Sequence, residues 1–302
     1  RGMMGFLSCR ACGHVIKCPH CDVSLSLHRN GRLRCHYCGY ETQSPKVCPS
    51  CGSGYIGSFR AGTQKIEEIV KKRYPEARVL RMDTDTTKGK DGHQKILAAF
   101  ANREADILVG TQMIVKGHDF PDVTLVGILA ADLSLNAGDY RSAERTFQLL
   151  TQAAGRAGRG EKPGRVLIQT YQPDHYSIVA ASHQNYMEFY RREIWYRQMM
   201  AYPPAAHMLV VQVTSPKEED ADQTATRLAQ VVARQEEEYA VMGPTDAAIK
   251  KISDIYRKAI YIKAREYEKL TDLMQRLEES FSETVAGSQT HVWFDFDPMS
   301  GF

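Results

Sequence analysis

Apolar and polar positions change their spacing repeatedly along the chain after residue 54. Short apolar runs rich in β-branched residues predict buried parallel strands. Between the runs, apolar residues recur at helical spacing, as in the stripe Ile66, Ile69 and Val70, with Thr63 as the predicted N-cap. The alternation predicts a doubly wound α/β domain with a parallel sheet. The predicted strands lie at 56–60, 78–82, 106–109, 124–130 and 164–171, with further helices at 93–100 and 143–154.

The last hundred residues follow a different pattern. A helical, aromatic and charged region over 173–199 ends at Tyr202-Pro203-Pro204, a pair of prolines that interrupts helical structure. Beyond it the spacing predicts a small C-terminal α+β domain. Its predicted order is strand 208–214, helix 217–239, strand 259–263, helix 266–281 and strand 291–295.

The eight cysteines of the chain all lie between residues 9 and 51. They form four Cys-x-x-Cys pairs, and two such turns complete a tetrahedral zinc site. A disulfide framework or a redox role is the alternative, but the rest of the chain is typical of a cytosolic protein. His14, His20 and His36 could replace a thiolate, although eight cysteines already complete two sites. The pairs are Cys9/Cys12, Cys18/Cys21, Cys35/Cys38 and Cys48/Cys51.

Four pairs can be joined into two sites in three ways. Only 13 residues separate Cys21 from Cys35, which suits a short hairpin with Leu25, Leu27 and Leu33 as its apolar positions. We therefore predict that the inner pairs share one structural Zn²⁺ and the outer pairs share another. The outer site would be Cys9, Cys12, Cys48 and Cys51, and the inner site Cys18, Cys21, Cys35 and Cys38.

Composition and charge are ordinary and do not change the predicted fold or the predicted zinc sites. The chain has 302 residues, of which 43% are hydrophobic and 25% charged, and its formal charge is +3. These values suit a globular protein of two or more domains and favour no particular partner. No apolar run approaches the roughly 18 residues of a membrane span, and the start has no signal peptide. We expect a cytoplasmic protein without membrane contact. The absence of an initiator methionine suggests a piece of a longer protein.

Two segments carry candidate chemistry at the predicted carboxyl ends of strands, where α/β domains bind ligands. Thr111 and Gln112 follow the strand at 106–109, where a Gly-Thr turn offers N–H groups and a hydroxyl to phosphate. Gln152, Arg156 and Arg159 close the helix at 143–154, where two arginines three residues apart suit a phosphate clamp. Taken separately, the first is most often an ordinary turn and the second a solvated helix end.

Taken together, the segments resemble motifs V and VI of superfamily 2 helicases. With the cysteine block, the chain resembles the PriA family of primosomal replication-restart DNA helicases over essentially its whole length. The matching stretches are Cys35-His36-Tyr37-Cys38-Gly39, Thr111-Gln112-Met113, Lys116-Gly117-His118-Asp119-Phe120-Pro121, Phe147-Gln148-Leu149-Leu150-Thr151-Gln152 and Gly155-Arg156-Ala157-Gly158-Arg159.

The resemblance implies an ATP-driven 3′→5′ helicase that recognises stalled forks and restarts replication. It implies a RecA-like second lobe over 53–199, with residues 1–8 at its edge, a zinc insertion over 9–52 and a C-terminal domain over 200–302. Gln152, Arg156 and Arg159 would face the nucleotide, together with Gly117 and with Asp119 near the ribose. Thr111, Gln112 and Lys116 would meet single-stranded DNA.

The resemblance also implies partners: forked and single-stranded DNA, the tail of single-strand DNA-binding protein, and primosome and helicase-loading proteins in the bacterial cytoplasm and nucleoid. Basic residues of the last domain are candidates for the tail. They are Arg257, Lys258, Lys263, Arg265 and Lys269.

One departure from a complete ATPase stands out. No phosphate-binding Gly-x-x-x-x-Gly-Lys-Ser/Thr loop occurs, because Lys88-Gly89-Lys90 runs into Asp91. ATP and Mg²⁺ would therefore depend on another lobe, and we expect the chain alone to hydrolyse no ATP. The alternatives are a zinc-ribbon DNA-binding or adaptor module without catalysis, and another superfamily 2 enzyme such as a fork-reversing translocase.

Overall fold

A computed structural model describes most of the chain. The described residues are 7–9, 11–12, 14–20, 24–27, 31–35, 40–58, 62–87, 91–115, 120–135, 140–235, 239–282 and 289–299. The chain divides into two compact units. The first unit contains residues 1–14 and 46–189, and the second contains residues 15–45 and 190–302. The division passes through the cysteine-rich region, so one part of that region belongs to each unit.

Five short strands among the described residues lie within the cysteine-rich region or at its borders. In the first unit, β1 pairs antiparallel with β5, and Cys9 lies opposite Ile56. In the second unit, β2, β3 and β4 form a three-stranded antiparallel meander. Leu25 and Leu33, predicted as apolar positions of the hairpin, are fully buried there. The strands are β1 (Leu7–Cys9), β2 (Ser26–Leu27), β3 (Arg32–Arg34), β4 (Glu41–Gln43) and β5 (Ile56–Ser58).

Strands and helices alternate through the rest of the first unit, which confirms the α/β prediction. β6 pairs with β7 and β8 pairs with β9, and both pairs are parallel. The elements are α1 (Thr63–Arg73), β6 (Val79–Met82), α2 (Gly92–Ala101), β7 (Ile107–Gly110), β8 (Leu125–Ile128), α3 (Asp132–Leu135), α4 (Ser142–Ala154), β9 (Arg165–Ile168) and α5 (Tyr176–Ser182). α6 (Tyr186–Met200) begins in the first unit and ends in the second.

Two apolar clusters hold these elements. Met82 of β6, Leu97 of α2 and Phe120 form one. Phe147 of α4, buried with residues of α5, stacks on Phe189 with ring centroids 4.4 Å apart and so anchors the start of α6. Burial of such rings is worth about 1.5 to 3 kcal/mol each.

The predicted N-cap of α1 is wrong. Gly62 occupies the cap position, and Thr63 is the first helical residue. The Thr63 hydroxyl donates to Asp83 Oδ2 at 2.6 Å instead of capping the helix. The hydroxyl therefore bonds to a residue distant in the sequence and not to the backbone at the start of its own helix.

The second unit contains a four-stranded antiparallel sheet in the order β11-β12-β10-β13. The β-α-β-β-α-β order is that of a split β-α-β fold. Leu209, Ile260 and Ile262 of the sheet pack against Leu228 of α7 and Leu273 of α8 to form its core. The elements are β10 (His207–Ser215), α7 (Glu218–Ala233), β11 (Ala240–Ile252), β12 (Ile255–Ala264), α8 (Tyr267–Ser282) and β13 (His291–Phe296).

The C-terminal α+β prediction missed one strand. The helix predicted to reach residue 239 ends at Ala233, and β11 follows it. β11 lies at the edge of the sheet, and its pairing with β12 is interrupted by irregularities after Met242 and Asp246. An irregular and largely exposed edge strand needs no alternating apolar pattern, so it has little signal in the sequence. Among the described residues, no helix has the length and apolar content needed to cross a membrane.

Candidate nucleotide and metal sites

The four outer cysteines converge in the first unit. The ligand atoms of Cys9, Cys12, Cys48 and Cys51 all lie within 4.8 Å of one another. Cys9 Sγ lies 3.7 Å from Cys51 Sγ, and Cys12 Sγ lies 3.7 Å from Cys48 Sγ. A tetrahedral zinc with Zn–S bonds of about 2.3 Å separates its sulfurs by about 3.8 Å. The cluster therefore has the dimensions of a structural zinc site.

The described Cys-x-x-Cys turns share one backbone hydrogen bond. The N–H of the first cysteine donates to the carbonyl oxygen five residues later, at 2.8 Å in each case: Cys9 to His14, Cys35 to Tyr40, and Cys48 to Ser53. Cys35 therefore makes the same backbone hydrogen bond as the first cysteines of the two pairs whose thiols converge. Cys18 and Cys35 are buried in the second unit, whereas Cys21 and Cys38 lie outside the described residues.

The thiols of the outer cluster strongly influence one another. The backbone N–H of Cys12 lowers the pKa of Cys9 to about 6. The backbone N–H of Ser53 favours the thiolate of Cys51, but the neighbouring Cys12 thiol and burial outweigh it and raise the pKa of Cys51 to about 12. Four thiolates can occupy so small a space only beside a cation. All six described cysteines are free thiols, so none of these six forms a disulfide.

The predicted nucleotide clamp lies at the end of α4. Gln152 is exposed in the last turn of the helix, which ends at Ala154. Arg156 N–H donates to Ala153 O, so the chain continues in a tight turn. The Arg159 side chain is exposed and folds back, with Nε 2.6 Å from Gly155 O. Gln152 thus lies in the last helical turn, and the two arginines follow the end of the helix.

Glycines let the loop that carries Arg156 and Arg159 pack closely against residues 121–123. Gly158 N–H donates to Val123 O at 2.9 Å. Gly158 has φ +72°, and a Cβ there would lie 2.5 Å from Gly164 N. A Cβ on Gly160 would lie 2.6 Å from Pro121 O. The arginine loop therefore rests on the segment that directly follows Asp119. Lys116, Gly117 and Asp119 themselves lie outside the described residues.

The predicted DNA-contacting turn lies at the carboxyl end of β7. Gly110 ends the strand, and Cβ at this position would lie 2.7 Å from Met82 O, so only glycine lets β6 approach so closely. Thr111 follows it, and the exposed Gln112 begins a 3₁₀ turn, Gln112–Val115, that packs against α4. The structure thus brings the Thr111 turn and the clamp helix together in one unit.

A polar network that sequence analysis did not single out lies beside this turn. Asp83 directly follows β6 and accepts hydrogen bonds from the Thr63 hydroxyl and the Thr86 N–H. Arg81, whose side chain is 7% exposed, forms ion pairs with both Asp83 and Glu67. Burial opposes ionisation, but these donors together hold the pKa of Asp83 below its usual value. The sequence feature that could have indicated this network is Arg81, an arginine inside the apolar run at 79–82.

The candidate basic residues of the C-terminal domain differ in their surroundings. Lys258 Nζ pairs with Asp222 at 2.8 Å and Asp246 at 2.9 Å. Lys263 is buried, donates to Met200 O at 2.9 Å and lies 3.4 Å from the centroid of the Tyr202 ring. Desolvation lowers the pKa of Lys263. Both ammonium groups are thus engaged within the domain.

The α/β lobe, the cysteine-rich region and the C-terminal α+β domain each match a family model. The model of the helicase conserved C-terminal domain matches residues 56–161. The PriA DNA helicase Cys-rich region domain matches 18–42, and the primosomal protein N C-terminal domain matches 198–299. The chain belongs to the PriA family of replication restart proteins.

Relatives match almost the entire chain. Replication restart protein PriA of Bacillus subtilis (strain 168) is 46% identical over 300 residues, which cover 99% of this chain and 37% of the relative. PriA of Synechocystis sp. is 43% identical, covering 99% of this chain and 36% of the relative. PriA of Chlamydia pneumoniae is 36% identical, covering 100% of this chain and 40% of the relative. The chain therefore spans well under half the length of these relatives.

Proposed function

We propose that the chain forms the second motor lobe, zinc region and C-terminal domain of an ATP-dependent 3′→5′ DNA helicase that recognises stalled replication forks and restarts replication. The observation that carries this proposal is the glycine-mediated packing of the Arg156 and Arg159 loop on the segment after Asp119. That packing, against Pro121 and Val123, supports a clamp close to the segment in which Asp119 is expected to contact the ribose.

In this proposal, Gln152, Arg156 and Arg159 contact ATP held mainly by another lobe of the longer protein. The arginines stabilise charge that develops on the γ-phosphate. Gly117 and Asp119 contribute from the neighbouring segment. Mg²⁺ and the phosphate-binding loop belong to the other lobe, because no such loop occurs in this chain. ATP hydrolysis therefore requires both lobes.

Single-stranded DNA would pass along the turn at Thr111 and Gln112, with Lys116 beside it. Contacts from hydroxyl, amide and ammonium groups to phosphates are independent of base sequence and weaken with salt. The packing of this turn against α4 supports a connection between the DNA contact and the nucleotide contact.

Two structural zinc ions complete the proposal. One would be held by Cys9, Cys12, Cys48 and Cys51, whose sulfurs have tetrahedral spacing. The other would be held by Cys18, Cys21, Cys35 and Cys38, supported by the shared hydrogen bond of the Cys35 turn. The ions would fix the backbone of the cysteine-rich region, because so few residues lack an extensive core.

The partners in this proposal are forked and single-stranded DNA, the tail of single-strand DNA-binding protein, and primosome and helicase-loading proteins in the bacterial cytoplasm and nucleoid. Within the C-terminal domain, the exposed Arg265 is the better candidate for the acidic tail. The side chains of Lys258, Lys263, Arg257 and Lys269 already have partners within the domain.

The test is the Arg159→Ala variant of the longer protein. We expect DNA-stimulated ATP turnover to fall by about 10³-fold or more, as for other arginine fingers. Arg159→Lys should restore only a small part, because a point charge cannot reproduce a bidentate guanidinium. Arg103→Ala, which removes an exposed arginine paired with Asp122, is the matched control and should be unchanged. Unchanged turnover in Arg159→Ala would contradict the assignment of Arg159 to a nucleotide clamp.

A further inference from the structure

A hairpin turn of the C-terminal sheet contacts the cysteine-rich region within the second unit. Ser253 and Asp254 form the two-residue connection between β11 and β12, and both have positive φ, +50° and +63°. Such a pair is typical of a type I′ turn, whose twist matches that of the flanking strands. Asp254 tolerates this conformation better than most residues do. The turn is therefore a well-defined structural feature.

Asp254 binds His20 through both its backbone and its side chain. The Asp254 N–H donates to His20 O at 3.0 Å. His20 Nδ1 lies 2.6 Å from Asp254 Oδ2. The other carboxylate oxygen lies 3.4 Å from Lys251 Nζ. Two hydrogen bonds between residues 234 positions apart fix both the location and the orientation of His20.

His20 in turn contacts Cys18 of the inner set and Tyr40, whose carbonyl oxygen bonds to Cys35. Its backbone N–H donates to Cys18 Sγ at 3.4 Å. Its ring meets the Tyr40 ring edge-on, with centroids 5.4 Å apart. The Tyr40 carbonyl accepts the hydrogen bond that closes the Cys35 turn. His20 thus links the hairpin of the C-terminal sheet to Cys18 directly and to the Cys35 backbone through Tyr40.

We propose that His20 and Asp254 are positioning residues for the inner metal site, so that the C-terminal hairpin holds the Cys18 turn in its metal-binding shape. The inference rests on the proposed zinc occupancy of the inner cysteines. Hydrogen bonds from N–H groups to thiolate stabilise the charged ligand, and groups that orient such donors raise metal affinity. The coupling is reciprocal, so the metal also stabilises the turn.

The test is the rate of zinc release to a chromogenic chelator from the whole chain. Asp254→Gly removes the carboxylate but keeps a residue suited to positive φ. We expect release from the inner site to become about tenfold faster, with the outer site unchanged. Asp254→Asn keeps an acceptor for His20 and should stay near the parent rate. In a Cys48→Ser background only the inner site is complete, so the zinc-release phase that remains there belongs to the inner site.

The chain offers a matched control in the same unit. Asp297 also has positive φ, +44°, and pairs with His207 Nδ1 at 2.9 Å. Asp297→Gly therefore removes an equivalent pair away from the described cysteines and should leave both release rates unchanged. An equal acceleration by both glycine variants would contradict a specific positioning role.

A second measurement tests whether bound zinc stabilises the hairpin turn at Asp254. Exchange of the Asp254 amide hydrogen should become at least tenfold faster when both zinc ions are removed, because its acceptor is His20 O. Two bound zinc ions with unchanged release and exchange in Asp254→Gly would overturn the positioning role alone. A Cys48→Ser chain that binds no zinc would overturn the proposed inner site and the positioning role together.

Discussion

At the residue scale, Gly158 decides the geometry of the clamp loop. It combines a positive φ with an approach to Gly164 that leaves no space for a side chain. Its N–H holds the loop to Val123, so the positions of Arg156 and Arg159 depend on a residue that does no chemistry. A glycine of this kind supports a site by permitting close contact between backbones.

We predict that Gly158→Ala destabilises the first unit by about 1 to 3 kcal/mol from backbone strain alone. The new Cβ would lie 2.5 Å from Gly164 N, which adds a steric cost. Urea denaturation measures the change in the free energy of unfolding, and hydrogen exchange in β8 shows whether the first unit is affected. Gly127→Ala is the control, because nothing lies within 4 Å of a Cβ there. Equal stability of both variants would contradict the close packing.

Asp83 is the second residue whose role the structure defines. Its pKa is lower in the folded chain than its ordinary value of 3.8, so the ionised form stabilises the fold above that pH. This stabilisation is lost as the pH falls through the lower, folded pKa. We predict that Asp83→Asn is less stable than the parent by about 1 to 2 kcal/mol at pH 7.

The difference between parent and Asp83→Asn should shrink as the pH falls below 3.8, the ordinary pKa of the carboxyl. Thermal unfolding between pH 7 and pH 2.5 measures it. Asp122→Asn removes a largely exposed ion pair with Arg103 and should change little at any pH. A difference that stays constant down to pH 2.5 would show that ionisation of Asp83 contributes nothing.

At the scale of elements, the strands of the cysteine-rich region are very short. β1 has three residues and β2 only two, too few for a core of their own. Cys9, Cys35 and Cys48 each donate a backbone hydrogen bond to the carbonyl oxygen five residues later. The metal would then join segments that share this local hydrogen bond.

We predict that the intact chain binds two zinc ions and that Cys48→Ser binds one. Loss of the outer zinc should also expose the β1–β5 pair, because Cys9 lies within it, opposite Ile56. Elemental analysis counts the zinc, and hydrogen exchange follows β1. Ser50→Ala changes an exposed residue of the same turn and should retain both ions. Full zinc content in Cys48→Ser would contradict the outer site.

The strands also show which elements could be predicted from the sequence and which could not. The runs at 78–82 and 106–109 have β-branched apolar residues and became β6 and β7 within one residue. β11 could not be predicted, because an irregular edge strand has no fixed alternation. The Asp83 network was also missed, because Thr63 and Arg81 become its partners only when β6 and α1 pack together.

At the scale of the whole molecule, the candidate clamp residues and the cysteine pairs could be proposed from the sequence because each is a local spacing of chemically distinctive residues. The contact between His20 and Asp254 could not, because nothing in the sequence relates positions 234 residues apart. Likewise, the chain contributes only one side of the proposed ATP site, since its Lys88-Gly89-Lys90 segment is not a phosphate-binding loop. The remaining part would belong to the longer protein.

ATP hydrolysis by this chain alone is the most direct test of that division. We predict no hydrolysis above background at saturating ATP, Mg²⁺ and single-stranded DNA, with both zinc ions bound, whereas the longer protein hydrolyses ATP under the same conditions. DNA-stimulated hydrolysis by the chain alone, lost in Arg159→Ala, would contradict the claim that it supplies only one side of the ATP site.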